Sequence, residues 1–358
     1  MIDKSLITRL AEVSEKEWCV TIYLPKEEQD DQYELDQLRL NKALAEAKNH
    51  LQAKDMEQEA VEKMLKSARR LLDENPFFNR YQSGAVALFL SPGTLETMDI
   101  PILKEEMVYV GGEFYLRPIL SLLNEMQHFF LLVLDEDNAL LFEGTQNNIA
   151  QIGNLVPLVE ARVGAPVPDA EKGEGIYLKT LYQRLDEKAR ELIAEEKAPL
   201  MLGGSEQRTQ LFREVSQYSN ILTETIDYRA NIDDHKVLHR RAKPIMEEYL
   251  QEQRRAKRRF FVKEMLKGNA SISLTDVLAA AVGGRVATLF MDKDEFTTGQ
   301  YKPAIQYAEV DEQPDEDHTA LFNLAAINTF LNGGEVYDLE RKDMPDSTTS
   351  INATFWPE

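Results

Sequence analysis

Short apolar runs rich in β-branched and aromatic residues constrain the fold of this chain most. Each run is six to eight residues long and ends at a turn-forming segment. Between the runs, apolar residues recur every three or four positions, which is typical of helices that bury one face. Strands that alternate with such helices predict an α/β protein with mixed sheets. The clearest predicted strands are Trp18–Pro25, Gly84–Leu90, Phe129–Leu134, Pro199–Gly204 and Val286–Met291.

The chain of 358 residues is too long for one ordinary hydrophobic core, and breaks in these patterns divide it into three predicted domains. Residues 1–125 are predicted to form an α/β domain, and residues 126–229 a second unit that opens with a hairpin. Residues 230–358 begin with a long helical segment and continue as a third α/β domain. In this last domain, we expect the polar stretch around the acidic run Asp311–Asp317 to be mobile.

The formal charge of −21 excludes several classes of partner. DNA and anionic lipid repel such an acidic chain, so we expect neither as a partner. The sequence has no apolar run near the roughly 18 residues that a membrane span needs, and no secretory signal is visible. The single cysteine, Cys19, lies in a predicted strand and is expected to be a buried, inert thiol. These features predict a cytoplasmic protein, and we expect no cofactor.

One segment departs from the acidic average. Between Arg240 and Lys263, nine Lys or Arg accompany three Glu, a local charge of +6 that leaves −27 on the remainder. Its last basic residues are candidates for RNA binding, because each phosphate contact adds salt-dependent affinity. The alternative is a solvated helical face that pairs with neighbouring Glu residues, while Phe260 and Phe261 pack inward. The five candidate RNA-binding residues are Arg254, Arg255, Lys257, Arg258 and Arg259.

Several segments, taken in order, resemble a known family. The pair Phe129–Asp135 and Ala139–Gly144 resembles the opening hairpin of the middle domain in archaeo-eukaryotic release factors and Pelota-type rescue factors. Thr275–Met291 is similar to the helix–Gly–strand unit of their C-terminal domain. The resemblance implies a ribonuclease-H-like middle domain and a C-terminal domain like kink-turn-binding ribosomal proteins. Further similar segments are Pro199–Ser205 and Thr225–Asp227 and, shared with bacterial relatives of these factors, Val20–Pro25 and Gly333–Tyr337.

The sequence departs from this family at the catalytic loop. Release factors carry Gly-Gly-Gln there, which supports water attack on the peptidyl-tRNA ester. The corresponding segment of this chain, Gly164–Gly175, is predicted to be a surface loop and holds no Gly-Gly-Gln. Its nearest equivalent is Gly173, Glu174 and Gly175, which would place a carboxylate beside any phosphate-rich tRNA end. The sequence therefore argues against peptide release, since a fold can persist without its chemistry.

Two other groups of residues could support chemistry. Asp135 and Asp137 lie in the predicted hairpin turn near Glu143, and acidic clusters of ribonuclease-H-like nucleases hold Mg²⁺. Carboxylates are also expected in such a turn for backbone reasons. His235 and His239 are four residues apart, as metal ligands on one helix face can be. The simpler interpretation of the histidine pair is the start of a helix, so we expect no metal.

The sequence thus leads to three functional hypotheses. The first is a non-catalytic translation factor that associates with the ribosome or tRNA in rescue, stalling or hibernation. The second is a hydrolase of peptidyl-tRNA or RNA that uses Asp135, Asp137 or Glu174. The third is an adaptor that binds a protein partner through the C-terminal domain or the acidic run Asp311–Asp317. The missing glutamine loop and the basic stretch favour binding over catalysis.

Overall fold

The computed structural model forms two compact units. The first combines Met1–Asn124 with Ala256–Glu358, and the second is Glu125–Arg255. The division of the chain into three domains stays a prediction. The described residues are 4–12, 18–25, 33–73, 84–100, 103, 105–125, 128–135, 138–145, 148–155, 170–193, 198–227, 235–315 and 318–357, with 33–34, 72–73, 125 and 170–178 described by their backbone.

The N-terminal part of the first unit is an antiparallel sheet covered by helices. Its elements are α1 (Lys4–Ala11), β1 (Cys19–Pro25), α2 (Tyr33–Ala53), α3 (Gln58–Asp73), β2 (Ala85–Ser91), β3 (Thr94–Ile100), β4 (Met107–Gly111) and α4 (Arg117–Glu125). The strands pair in the order β3-β2-β1-β4. Alternate residues of β1, such as Val20 and Ile22, pack against Leu44 of α2 and Leu65 of α3. Cys19 is fully buried, which confirms the predicted buried thiol.

The second unit is built around a five-stranded mixed sheet. Its elements are β5 (Phe129–Leu134), β6 (Ala139–Gly144), β7 (Ile149–Asn154), α5 (Ala170–Ile193), β8 (Leu200–Gly204), α6 (Glu206–Val215), β9 (Ile221–Ile226) and the first part of α7 (His235–Lys267). The strand order is β7-β6-β5-β8-β9, with β5 antiparallel to β6 and parallel to β8. The ribonuclease-H-like architecture that the resemblance implies for this part of the chain stays a prediction. Helices α5 and α6 cover one face of the sheet, and α7 covers the other.

The C-terminal part of the first unit carries two small sheets. Its elements after α7 are β10 (Ala270–Ser271), α8 (Leu274–Val282), β11 (Val286–Asp292), β12 (Thr298–Lys302), β13 (Tyr307–Val310), β14 (Thr319–Ala320), α9 (Leu321–Leu331), β15 (Glu335–Leu339) and β16 (Ile351–Phe355). One sheet has the order β10-β16-β11-β15, and the other has the order β13-β12-β14. The predicted mixed α/β class is confirmed. None of the helices in the described ranges has both the length and the apolar composition of a membrane span.

The polar stretch before the acidic run contains the strands β12 and β13, which the sequence did not indicate, and its mobility stays a prediction. Polar groups stabilise its two longer strands: the Thr298 hydroxyl donates to Asp311 at 2.6 Å, and Lys302 forms an ion pair with Glu309. Cross-strand pairs of this kind stabilise a sheet without producing an apolar alternation along the sequence. The hydrophobic pattern therefore could not reveal these strands.

The predicted surface loop Gly164–Gly175 is wrong over its second half, because α5 begins at Ala170. Residues 164–169 lie outside the described residues. Each glycine within a helix costs about 1 kcal/mol relative to alanine. The C-terminal turns of α5 offset this cost, since Tyr182, Leu185 and Ala189 are buried in the core of the second unit. The helix therefore extends through two glycines that the sequence suggested would break it.

Buried polar contacts join the two parts of the first unit. The Asn323 side chain on α9 accepts hydrogen bonds from the backbone N–H groups of Leu116 and Arg117 at 2.8 and 3.0 Å. The fully buried guanidinium of Arg117 donates to the Asp338 carboxylate at 2.8 Å and to the backbone oxygen of Glu295 at 2.6 Å. These contacts position α4 against the C-terminal sheet.

Candidate functional site

The five predicted RNA-binding residues all lie on the second half of helix α7. Near them, Phe261 is buried and packs edge-on against Phe290 of β11, with 6.3 Å between the ring centroids. Phe260 is 49% exposed, because each step along a helix turns a side chain by about 100°. The alternative in which both phenylalanines pack inward is therefore correct for Phe261 and wrong for Phe260.

Arg255 is an exposed member of this basic segment. One guanidinium nitrogen lies 3.1 Å from Glu248 and 3.5 Å from Glu252, both on α7. Arg255 and Glu248 expose 51% and 63% of their side chains, and ion pairs this exposed typically contribute about 0–1 kcal/mol. The Arg255 charge is therefore available to a phosphate at small cost. The pairing also matches part of the solvated-face alternative.

Lys257 and Arg258 contact acidic residues of the first unit. The Lys257 ammonium lies 2.5 Å from Glu335 at the start of β15, and the Arg258 guanidinium lies 3.5 Å from Asp343. Both basic side chains are about two-thirds buried, so they are less accessible than Arg255. These ion pairs stabilise the packing of α7 in the first unit. A nucleic acid would have to compete with the two carboxylates for Lys257 and Arg258.

The end of α7 is fixed by a polar cluster around Glu264. Its carboxylate accepts hydrogen bonds from Lys267 at 2.7 Å and from the side chain of Asn269 at 2.9 Å. The hydrogen bond from Lys267, followed by that from Asn269, lowers the pKa of Glu264. Glu264 therefore stays ionised at neutral pH, and the basic segment ends in a defined turn before β10.

The carboxylates considered for metal chemistry are separated along the hairpin. Asp135 follows the end of β5, where its N–H donates to the Asn138 carbonyl at 2.8 Å and its carboxylate lies 3.7 Å from Arg208. Glu143 pairs with Phe130 near the other end of the hairpin, about 16 Å away along the strand. One Mg²⁺ ion cannot bridge that distance, since its ligands lie at about 2.1 Å.

Two further candidates for hydrolysis are not described in full. Asp137 lies outside the described residues, and Glu174 is described by its backbone, within α5. The hypothesis that Asp135, Asp137 or Glu174 catalyses hydrolysis stays a prediction. The same applies to the idea that Gly173, Glu174 and Gly175 replace the Gly-Gly-Gln loop. Within the described ranges, no three His, Cys, Asp or Glu residues form a cluster that could hold a metal ion.

His235 and His239 contact different groups of strand β6 and the turn after it. The His235 ring packs edge-on against Phe142, with 5.3 Å between ring centroids. The Nε2 atom of His239 lies 3.0 Å from the backbone oxygen of Thr145. Both contacts hold the N-terminal turns of α7 on the sheet of the second unit. The structure therefore gives the histidine pair a packing role at the start of a helix.

The glycine pair Gly203–Gly204 ends strand β8. Gly204 has a φ of +136°, and a Cβ atom built there would lie 2.5 Å from the Leu134 backbone oxygen. A glycine is needed there to let β8 end close beside β5. Helix α6 follows directly, although the Ser205 side chain makes no capping hydrogen bond among the described residues.

Sequence reasoning missed the buried contacts of Arg117 and Asn323, and it missed the exposed hairpin formed by β12 and β13. An isolated Arg followed by Pro, or an Asn within an apolar helix, carries no signal of a partner about two hundred positions away. The exposed large apolar residues of the hairpin are Ile305, Tyr307 and Val310. The sequence signal that could have indicated this hairpin is the presence of large apolar residues in an acidic stretch.

Comparison with known proteins gives a family match for the middle of the chain. Residues 128–285 match the model of Bacterial archaeo-eukaryotic release factor family 3. No curated protein sequence matches.

Solved structures show weaker similarity. An archaeal translation termination factor, aRF1, is 14% identical with a TM-score of 0.27, over 98% of this chain and 96% of that one. Archaeoglobus fulgidus Pelota is 11% identical with a TM-score of 0.34, over 76% and 78%. S. cerevisiae Dom34, a translation termination-like factor, is 13% identical with a TM-score of 0.39, over 74% of each chain. Similarity at this level does not establish a shared activity.

The match covers the hairpin, the five-stranded sheet, the basic helix and α8. It thereby includes most of the segments on which the resemblance was based. Residues 128–285 of this chain are therefore similar to the bacterial archaeo-eukaryotic release factors, in agreement with the resemblance predicted from the sequence.

Proposed function

We propose that this protein is a non-catalytic translation factor that binds the ribosome or tRNA in the cytoplasm. The observation that carries the proposal is the family match over residues 128–285, a range in which the sequence has no Gly-Gly-Gln. A release-factor fold without the glutamine that supports water attack can occupy a site without cleaving the ester. Rescue, stalling or hibernation are the roles open to such a factor.

The contact with RNA is assigned to the exposed basic residues of α7. Arg255 and Arg259 are four residues apart and both exposed, whereas Lys257 and Arg258 are partly buried beside Glu335 and Asp343. Because the rest of the chain carries strong negative charge, RNA would be attracted to this segment and repelled elsewhere. The binding should therefore be local and strongly dependent on salt.

A paired charge reversal tests this assignment. The variant Arg255→Glu/Arg259→Glu reverses the proposed contact, and Lys63→Glu/Lys66→Glu reverses two exposed lysines of α3 with the same change in net charge. Co-sedimentation with purified ribosomes is measured at low and at moderate salt. We expect the first variant to bind on the order of tenfold more weakly, because two phosphate contacts become repulsive, and the second to bind like the wild type.

Two outcomes would contradict the assignment. Equal weakening of the two variants would mean that net charge rather than α7 governs the interaction. Undiminished binding of Arg255→Glu/Arg259→Glu would place the contact elsewhere. Circular dichroism of both variants serves as the control for folding, since neither substitution removes a buried side chain.

A further inference from the structure

The hairpin of β12 and β13 presents apolar side chains at the edge of a sheet. Ile305, Tyr307 and Val310 are 68%, 52% and 48% exposed. Among the strands of the described ranges, β13 pairs with β12 only. Ala308 is buried, so the free edge of β13 is accessible at Val310. An open edge with exposed aromatic and aliphatic side chains is a template for another strand, and proteins usually protect such edges.

The hydrogen bonds of the hairpin show which backbone groups face this edge. The N–H of Asp311 donates to the Thr298 carbonyl at 3.1 Å, which makes residues 298 and 311 a hydrogen-bonded pair. In an antiparallel ladder, such pairs alternate with pairs whose backbone groups point outward. With the register Gly299↔Val310 and Tyr301↔Ala308, the backbone N–H and C=O groups of Ala308 and Val310 are directed away from β12.

Negative charge surrounds the edge. Between positions 302 and 317, the sequence has six carboxylates and a single lysine. Hydrogen bonding to Lys302 lowers the pKa of Glu309, and hydrogen bonding to Thr298 lowers the pKa of Asp311, so both are ionised at neutral pH. This charge repels RNA phosphates. It also disfavours pairing with a second copy of β13, since like charges would face each other across the new ladder.

We propose that β13 is a docking edge for a basic, extended segment of a partner protein, which pairs as a further strand at Val310, the exposed one of the two residues whose backbone groups point outward. The outward backbone groups supply the ladder, as in other cases of strand addition. Tyr307 and Val310 supply apolar contacts on the two faces of the new pair, and the carboxylates select lysine or arginine in the incoming strand. The site is separate in residues and in charge from the RNA contact assigned to α7.

The test uses the full chain and three defined probes. These are a short peptide of alternating Val and Lys, its counterpart of alternating Val and Glu, and an oligouridylate. Backbone amide chemical shifts report where each probe binds, and fluorescence anisotropy of a labelled probe reports affinity. We expect the Val-Lys peptide alone to shift the amides of residues 298–311, with an affinity that falls as salt is added.

Two variants separate the backbone from the charge contribution. Val310→Pro removes the outward N–H while leaving the bonds to β12, and Val310→Ala keeps the N–H as its matched control. Glu309→Lys/Glu312→Lys reverses the charge and leaves the backbone intact. We expect Val310→Pro and the charge reversal each to lower the affinity for the Val-Lys peptide by at least about tenfold, and Val310→Ala to lower it by less.

Several results would overturn the proposal. They are unshifted amides over residues 298–311 with the Val-Lys peptide, equal affinity for the Val-Glu peptide or the oligouridylate, and unchanged affinity in both Val310→Pro and Glu309→Lys/Glu312→Lys. None of these outcomes depends on ribosome binding, and the Arg255→Glu/Arg259→Glu variant should bind the peptide like the wild type. Failure here and failure of the proposed function are therefore distinguishable.

Discussion

Replacement of Asn323 by alanine should destabilise the first unit severely. The Asn323 side chain is fully buried and makes four hydrogen bonds. Its oxygen accepts from the N–H groups of Leu116 and Arg117, and its amide nitrogen donates to the Phe114 carbonyl at 3.0 Å and the Glu113 carboxylate at 2.9 Å. One side chain thus provides hydrogen-bond partners for the residues just before α4 and at its start.

The expected magnitude follows from the groups left without partners. The substitution leaves the two N–H donors of Leu116 and Arg117 buried and unsatisfied, and each such group costs about 1–3 kcal/mol. The small cavity adds to this, while alanine offsets a few tenths of a kcal/mol through its higher helix propensity. We therefore expect the free energy of unfolding of the first unit to fall by about 3–5 kcal/mol.

Tryptophan fluorescence is a selective probe of this unit. The chain has two tryptophans, Trp18 and Trp356, and both belong to the first unit. Urea unfolding followed by their emission therefore reports on the first unit, while far-UV circular dichroism reports on both. We expect Asn323→Ala to shift the fluorescence transition to lower urea and to leave the second unit's part of the dichroism transition in place.

Asn328→Ala on the same helix is the matched control. The Asn328 side chain donates to the Leu324 carbonyl within α9, and its substitution leaves no buried backbone donor unsatisfied. It therefore includes the same gain in helix propensity without the loss of the long-range contacts. A loss of stability for Asn323→Ala of less than about 1 kcal/mol, or one equal to that of Asn328→Ala, would show that the buried N–H groups of Leu116 and Arg117 do not depend on the Asn323 side chain.

Three further predictions test other parts of the structure. Gly204→Ala should lower the free energy of thermal unfolding of the second unit by at least about 2 kcal/mol, because Gly204 has a φ of +136° and no space for a Cβ atom. Gly153→Ala, where the space is open, should change it by no more than about 0.5 kcal/mol. Phe261→Ala should lower the free energy of unfolding by about 3–5 kcal/mol, whereas Phe260→Ala should lower it by less than about 1 kcal/mol. Equal losses of stability would contradict the inward direction of Phe261 and the outward direction of Phe260. Asp311, whose pKa is lowered, should contribute stability that is complete above about pH 3.9 and is lost as the pH falls through its folded-state pKa. A carboxyl NMR titration with a midpoint at or above 3.8 would contradict that pKa direction.

The apolar elements of the fold could be predicted from the sequence. Strands such as Phe129–Leu134 are buried on both faces, so their apolar runs are continuous and their bounds agree with the structure. The amphipathic end of α5 and the long helix α7 were predictable because apolar residues recur every three or four positions along them. Elements held by polar contacts were not. The strands β12 and β13 depend on Thr298, Asp311 and Lys302, whose pairing leaves no periodic apolar signal.

The candidate site was predictable in composition but not in geometry. The charge excess of Arg254–Arg259 is visible in the sequence, since it depends on counting residues. The direction of each side chain depends on which face of α7 the sheet covers, and this is set by distant partners such as Glu335 and Asp343. The separation of Asp135 from Glu143 likewise requires the register of the hairpin, which the sequence of either strand does not contain.

The proposed function requires that this protein binds the ribosome or tRNA without cleaving the peptidyl-tRNA ester. The most direct measurement combines two readouts on one sample: co-sedimentation of the full chain with ribosomes that carry labelled peptidyl-tRNA, and release of the labelled peptide. We predict binding that weakens as salt is raised, because the contact involves phosphates, together with no peptide release above the background without protein. Absence of binding at low salt, or peptide release in proportion to the bound protein, would contradict the account.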